Sequence, residues 1–165
     1  RGRACQMNLG GQVASSEYLF FLHADSRPSI STAQLDAHLA QRPRWGFCRV
    51  HLSGSQAMFR VIEWFMNQRS RLTSVATGDQ MLFLQKSVFD ATGGFDAMPL
   101  MEDVAYCKRL RRLASPLIIA EPVLTSSRRW EEGGVIKTVV RMWLLRLAYF
   151  FGVAPTTLLR YYHVR

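Results

Sequence analysis

Paired polar residues at the ends of apolar runs are where this chain could do chemistry. His23-Ala24-Asp25 follows the run Tyr18–Leu22, so two polar side chains project, one residue apart, from the end of a buried element. Asp25 offers hard oxygen ligands of the kind that Mg2+ and Mn2+ take. A dication there would bridge two phosphates and stabilise a leaving diphosphate. Asp25 is equally suited to closing a turn with Ser26 and Pro28. Glu102-Asp103 opens an apolar-periodic segment after Pro99-Leu100-Met101. A carboxylate there can deprotonate a hydroxyl nucleophile. Acids also favour the first turn of a helix because they complement its dipole, which holds them ionised.

Three further groups accompany these. Ser127-Arg128-Arg129-Trp130 places adjacent guanidinium groups, which grip a diphosphate through charge-assisted hydrogen bonds, beside an indole that can pack on a ring. The alternative is a solvated basic loop. Arg3, Gln6 and Asn8 share a short amphipathic stretch able to touch a base or phosphate, or to face water. Gly78-Asp79-Gln80 precedes another apolar run, where Asp79 either faces a site or ends a turn.

The elements that must position these residues follow from periodicity. Arg3–Ala14, Ser31–Gln41, Ala57–Gln68, Glu102–Leu113 and Val135–Phe151 have helical spacing, and Pro155 starts a last helix. Ser87–Ala91 is one helical turn, ended by Gly93-Gly94. Tyr18–Leu22 and Gln80–Leu84 are short continuous apolar runs, expected as strands buried on both faces. Trp45–Leu52 is a further strand, and Leu117–Ala120 and Val123–Ser126 form two more around Glu121-Pro122. Strands alternating with helices argue for an α/β sheet covered on both faces, with ligands beyond the carboxyl ends of its strands.

Length and composition set the bounds. The 165 residues, 48% hydrophobic, suffice for one domain with a real core. Lys and Arg number 21 against 12 Asp and Glu, a net charge of +9 that suggests an anionic partner. No helix-turn-helix, zinc or aromatic-stacking motif supports nucleic acid as that partner. Cys5, Cys48 and Cys107 lie far apart, which points to a reducing compartment without disulfides or zinc. No signal peptide opens the chain, and no 18-residue stretch is free of charge, so a transmembrane span is not expected. In Val135–Phe151, Lys137, Arg141 and Arg146 interrupt an otherwise apolar, aromatic sequence. Such a helix either packs on the sheet or lies in a membrane interface.

In this order, the segments resemble glycosyltransferase family 2, of the GT-A fold, and within it the bacterial branch of radical-SAM/selenodomain-associated transferases. The resemblance rests on Gly2-Arg3-Ala4, Gln6-Met7-Asn8 and Gly10, Leu19–Asp25, Gly78-Asp79-Gln80, Gly93-Gly94-Phe95, Pro99–Asp103, Ser127–Trp130 and Gly152–Pro155. It implies a Rossmann-like mixed sheet flanked by helices. Residues 1–130 would form the sheet core and active-site loops, and 131–165 the C-terminal helices. It implies metal-dependent, inverting transfer of a sugar from a nucleotide-diphosphate donor to an acceptor hydroxyl of a glycan or lipid-linked molecule. Mg2+ or Mn2+ would be the cofactor, in a cytoplasmic protein that touches the inner face of the membrane.

Residue by residue, the resemblance makes Asp103 the base, with Glu102 supporting it or touching the acceptor. It makes Asp25 the metal ligand, with His23 where the family carries a second carboxylate. Arg3, Asn8, Arg128, Arg129 and Trp130 would contact the donor, and Gly78, Asp79 and Gln80 would line the acceptor side. The family's opening strand and Asp-rich turn have no counterpart here, which implies an N-terminally truncated member. The alternative is a non-catalytic basic module that binds a membrane surface or an anionic ligand.

Overall fold

A computed structural model describes residues 2–162, with the side chains of Arg129 and Glu132 outside the described residues. Five strands, β1 (Tyr18–Phe21), β2 (Ser26–Pro28), β3 (Trp45–Leu52), β4 (Leu82–Gln85) and β5 (Leu117–Thr125), form one sheet in the order β1-β4-β3-β5-β2. β3 and β5 pair in parallel, and the other three pairings are antiparallel. β1, β3 and β5 therefore all point the same way. The helices are α1 (Arg3–Val13), α2 (Thr32–Leu39), α3 (Ala57–Thr73), α4 (Lys86–Thr92), α5 (Glu102–Leu113), α6 (Arg128–Gly133), α7 (Val135–Phe150) and α8 (Pro155–Tyr162).

The mixed sheet flanked by helices agrees with the expected α/β class, but the sheet curls into a half-barrel instead of the open Rossmann-like sheet of the GT-A fold. Chain length explains the curl. β1 and β2 are consecutive in sequence yet occupy opposite edges. Four strand spacings of about 4.8 Å would separate those edges by about 19 Å in a flat sheet. The link 22–25 reaches at most about 18 Å when fully extended. It is not extended, because the Ser26 N–H donates to the His23 carbonyl at 3.1 Å and closes a turn. The edges must therefore approach each other, and a register shift between the β3–β5 pairs Cys48–Ile119 and Val50–Val123, with extra residues on β5, helps to bend the sheet.

Side chains cover both sheet faces. Trp45, Phe47, Leu84, Tyr106 and Leu110 belong to the larger core, and Cys48, Phe83, Ile119 and Val123 to a second one closed by Leu35 and Leu39 of α2. α2 begins with a full capping box, in which Ser31 Oγ accepts from the Gln34 N–H and the Gln34 side chain accepts from the Ser31 N–H. Asn67 of α3 clamps the bend in β3, accepting from the Val50 N–H at 2.9 Å and donating to its carbonyl at 3.0 Å. Gly11 lies where a Cβ would meet the Phe89 ring at 2.4 Å, so this glycine serves the packing of α1 on α4.

Several elements differ from the sequence expectation. β1 is an edge strand with Phe20 partly exposed, not a strand buried on both faces. Glu121-Pro122 does not split β5, because Pro122 falls in the irregular stretch between the β3–β5 pairs Cys48–Ile119 and Val50–Val123, where no ladder bond from it is required. Gly78–Gln80 forms a single 3-10 turn before β4. α3 continues to Thr73, and the segment Arg128-Arg129-Trp130 is helical instead of a loop.

Candidate functional site

The carboxyl ends of β1, β3 and β5 share one end of the half-barrel. The link 22–25, the turn Gly78–Gln80, the start of α5 and the start of α6 all gather there. Two buried residues with positive φ bracket this end, Met81 (φ 45°) after the turn and Met101 (φ 68°) before α5. Each such backbone costs about 1–3 kcal/mol, which neighbouring contacts must offset.

These segments and α7 enclose a cleft of about 990 Å³. A second, more apolar cavity of about 550 Å³ adjoins it and shares Arg3, His23, Asp25 and Asp103. The cleft draws together Arg3, His23, Asp25, Gly78, Asp79, Asp103, Arg128 and Trp130 from the expected set.

Their contacts define each role. The His23 ring accepts from Arg3 Nη1 at 3.1 Å through Nε2, and so donates through Nδ1 to Asp79 Oδ1 at 3.2 Å. Gly78 allows this arrangement, because a Cβ there would stand 1.9 Å from His23 Nε2. The Gly78 N–H donates to Asp103 Oδ2 at 3.0 Å, and the Val104 N–H donates to Oδ1 at 2.7 Å. Glu102 is buried and paired with Arg3 Nε, while its Oε2 finds no hydrogen-bond partner among the described residues. Asp25 is exposed on the turn between β1 and β2. Trp130 packs beside Leu52, Phe59 and Ile62 and anchors α6.

Two expected ligand contacts have structural duties instead. Asn8 accepts from the Phe95 N–H and donates to the Phe95 carbonyl, each at 2.8 Å, and it does not line the cleft. Gln80 is fully buried, accepting from Ser70 Oγ and the Thr77 N–H and donating to the Cys48 carbonyl. The side chain of Arg129 lies outside the described residues.

Burial, then the neighbouring Glu102, pushes the Asp103 carboxyl above the usual carboxylate range, with Arg146 and Arg3 opposing. Desolvation thus outweighs the helix dipole that would hold this acid ionised. Burial lowers Arg146, against the pull of Asp103 and Asp79. Arg69 of α3 is pulled down to about 9, first by burial and then by Arg146. For Arg3, burial acts downward, but the hydrogen bond and charge of Glu102 prevail and the group ends above its ordinary value. Burial raises the Cys48 and Cys107 thiols to about 12, consistent with inert core cysteines.

α7 supplies the part of the site that no sequence motif marks. Lys137, Thr138, Arg141 and Arg146 line the cleft from one side of this helix. Among the described residues, five Lys or Arg thus face three Asp. Thr138 is buried and its Oγ1 has no hydrogen-bond partner among the described residues. The available signal was the spacing of Lys137 and Arg141, four apart and so on one face.

The metal expectation does not survive this geometry. Among the described residues, no group of three or more His, Cys, Asp or Glu is placed to hold a metal ion. A hard dication takes six or more oxygen ligands. Here Asp25 stands exposed, and both His23 nitrogens are engaged by Arg3 and Asp79. The surrounding guanidinium groups also repel a cation. This overturns the metal-dependent glycosyltransferase, its Mg2+ or Mn2+ cofactor and the metal-ligand roles of Asp25 and His23. Nor is any described helix long and apolar enough to cross a membrane. No family model, curated protein or solved structure matches the chain, so the resemblance to family 2 glycosyltransferases rests on the sequence motifs alone.

Proposed function

We propose that this chain is a basic binding module that takes a phosphate-bearing anion in the cleft between the carboxyl end of the sheet and α7. The supporting observation is the convergence of Arg3, Arg128, Lys137, Arg141 and Arg146 on one cleft that also holds the buried Thr138 hydroxyl, which has no partner among the described residues. A buried hydroxyl left without a partner costs about 1–3 kcal/mol, and a ligand oxygen there removes that penalty. Guanidinium groups approaching from α1, α6 and α7 suit an elongated polyanion better than a single carboxylate. The cleft carries its own positive charge, so it needs no cation to receive a diphosphate.

The test is calorimetric titration of inorganic pyrophosphate in the presence of EDTA. Saturable binding is expected, with Lys137→Gln weakening it about tenfold, near 1.4 kcal/mol. Lys137 is exposed, so its replacement leaves the fold intact. Absence of saturable binding at millimolar pyrophosphate, or affinity unchanged in Lys137→Gln, overturns the reading.

A further inference from the structure

The face of α7 turned away from the cleft is as apolar as the cleft face is basic. Ile136, Val140, Trp143, Leu147 and Phe150 follow one another at steps of four and three, and all are at least half exposed. Leu144 and Phe151, also exposed, widen this stripe to about 120° of the helix surface at 3.6 residues per turn. No charged side chain interrupts it. Phe150 and Phe151 are 73% and 75% exposed and touch each other edge to face. α3 lies nearby, since Val135 and Val139 of α7 pack against the cluster that holds its Phe59 and Ile62. α3 adds its own exposed Val61, Trp64 and Phe65. An apolar surface of this extent marks an interaction site.

Charge selects the occupant. From Gly133 to the end of the sequence there is no Asp or Glu, and the exposed Arg160 of α8 and Arg71 of α3 add positive charge that does not line the cleft. The only carboxylate on α3, Glu63, is buried and paired with Arg60. A second copy is disfavoured, because pairing these faces would bring together two chains of net charge +9. The stripe is also wider than a coiled-coil seam and, at 16 residues, covers only about two heptads where such pairing needs three or more. A helix of about 24 Å that is too short to span, rich in aromatic side chains and free of carboxylates, fits the boundary of an acidic bilayer.

We propose that the outer face of α7, with α3 beside it, rests on an acidic lipid surface, with the helix axis along the membrane plane. The apolar stripe enters the acyl boundary, and exposed bases outside the cleft, Arg71 of α3 and Arg160 of α8, supply the attraction to the headgroups. This docking does not depend on the cleft.

Co-sedimentation of the chain with vesicles tests the proposal. One set is pure phosphatidylcholine, and the other carries about 30% phosphatidylglycerol, a fraction within which each basic residue near the surface contributes appreciably. The chain is expected to pellet with the acidic vesicles and to lose at least tenfold in partitioning when Trp143→Ser and Leu147→Ser are combined. Both positions are exposed, and unchanged thermal unfolding of the variant will show that the fold is retained. The variant should also keep its pyrophosphate affinity, which separates a failure of docking from a failure of the cleft. Equal pelleting of wild type and variant, or none with acidic vesicles, overturns the proposal. So does a concentration-dependent dimer in sedimentation velocity that the same variant abolishes, since that result assigns the face to a second copy. Full release from the vesicles by excess pyrophosphate would likewise overturn it, by placing the contact in the cleft.

Discussion

At the residue scale, the same side-chain type performs different duties that sequence alone did not separate. Asn8 and Arg3 both stand on α1, yet Arg3 reaches the cleft while Asn8, on another side of the helix, holds the Phe95 backbone. Asn8→Ala is therefore expected to lower stability by about 1–3 kcal/mol, because two backbone groups lose their partner. Pyrophosphate affinity should stay as it was, and paired urea unfolding and calorimetry will check both halves. Gly78→Ala should act in the opposite sense. Its Cβ would displace the His23 ring from Arg3 and Asp79. A part-exposed ring can move aside, so stability should fall by only about 1–2 kcal/mol. Pyrophosphate binding should weaken severalfold.

Asp103 provides a prediction in pH. Its folded-state carboxyl lies above the ordinary value of 3.8, so the folded chain holds this proton more tightly than the unfolded chain does. The associated stability is fully present below about 3.8 and is lost as pH rises through the folded value. The Asn replacement cannot titrate. Asp103→Asn should therefore gain stability relative to the wild type as pH increases from about 4 upward, whatever constant offset comes from leaving Arg146 without its counter-charge. Denaturant unfolding of both proteins across that range measures the slope, and a flat difference would remove the raised carboxyl from the account.

At the element scale, strongly periodic segments were legible and irregular connections were not. The boundaries of α5 and α7, the strand Trp45–Leu52 and the helix after Ser31 follow directly from spacing and capping residues. β2 escaped notice because three residues, Ser26-Arg27-Pro28, carry no alternation. They become a strand only because β5 offers an edge. The turn at Gly78–Gln80 was one of two readings of Asp79, but its end was drawn into the following strand at Gln80, since its αL residue is Met81 and not glycine. α7 was legible as a helix but not as a wall of the site. Its helical period places Thr138 and Arg141 on one side and Trp143 and Phe150 on another, but only the fold shows which side meets the cleft. The amide of Asn67 likewise has no sequence signature, although it fixes the bend of β3. Asn67→Leu should cost about 2–4 kcal/mol, the penalty for leaving the Val50 N–H and carbonyl unpaired. A lower urea midpoint with an unchanged m-value would establish it.

At the scale of the whole molecule, charge was the most legible property and shape the least. The net charge of +9 pointed to an anionic partner from composition alone, and the fold concentrates part of it in one cleft. The half-barrel depends on strand order, in which two consecutive strands take opposite edges, and no local pattern reveals that. The link 22–25 then has to cross the mouth of the curled sheet, which carries His23 and Asp25 into the cleft. Long-range and local attraction are separable by salt. Charges beyond the Debye length, about 8 Å at physiological ionic strength and about 4 Å near 0.5 M, are screened from the ligand, whereas contacts inside the cleft are screened much less. Raising salt from about 0.05 M to about 0.5 M should therefore weaken pyrophosphate binding by about tenfold without abolishing it. Lys137→Gln, which removes an exposed cation at the cleft rim, should show a shallower dependence on salt. Parallel slopes for the two proteins would instead mean that Lys137 acts only through a contact already out of reach of the solvent ions.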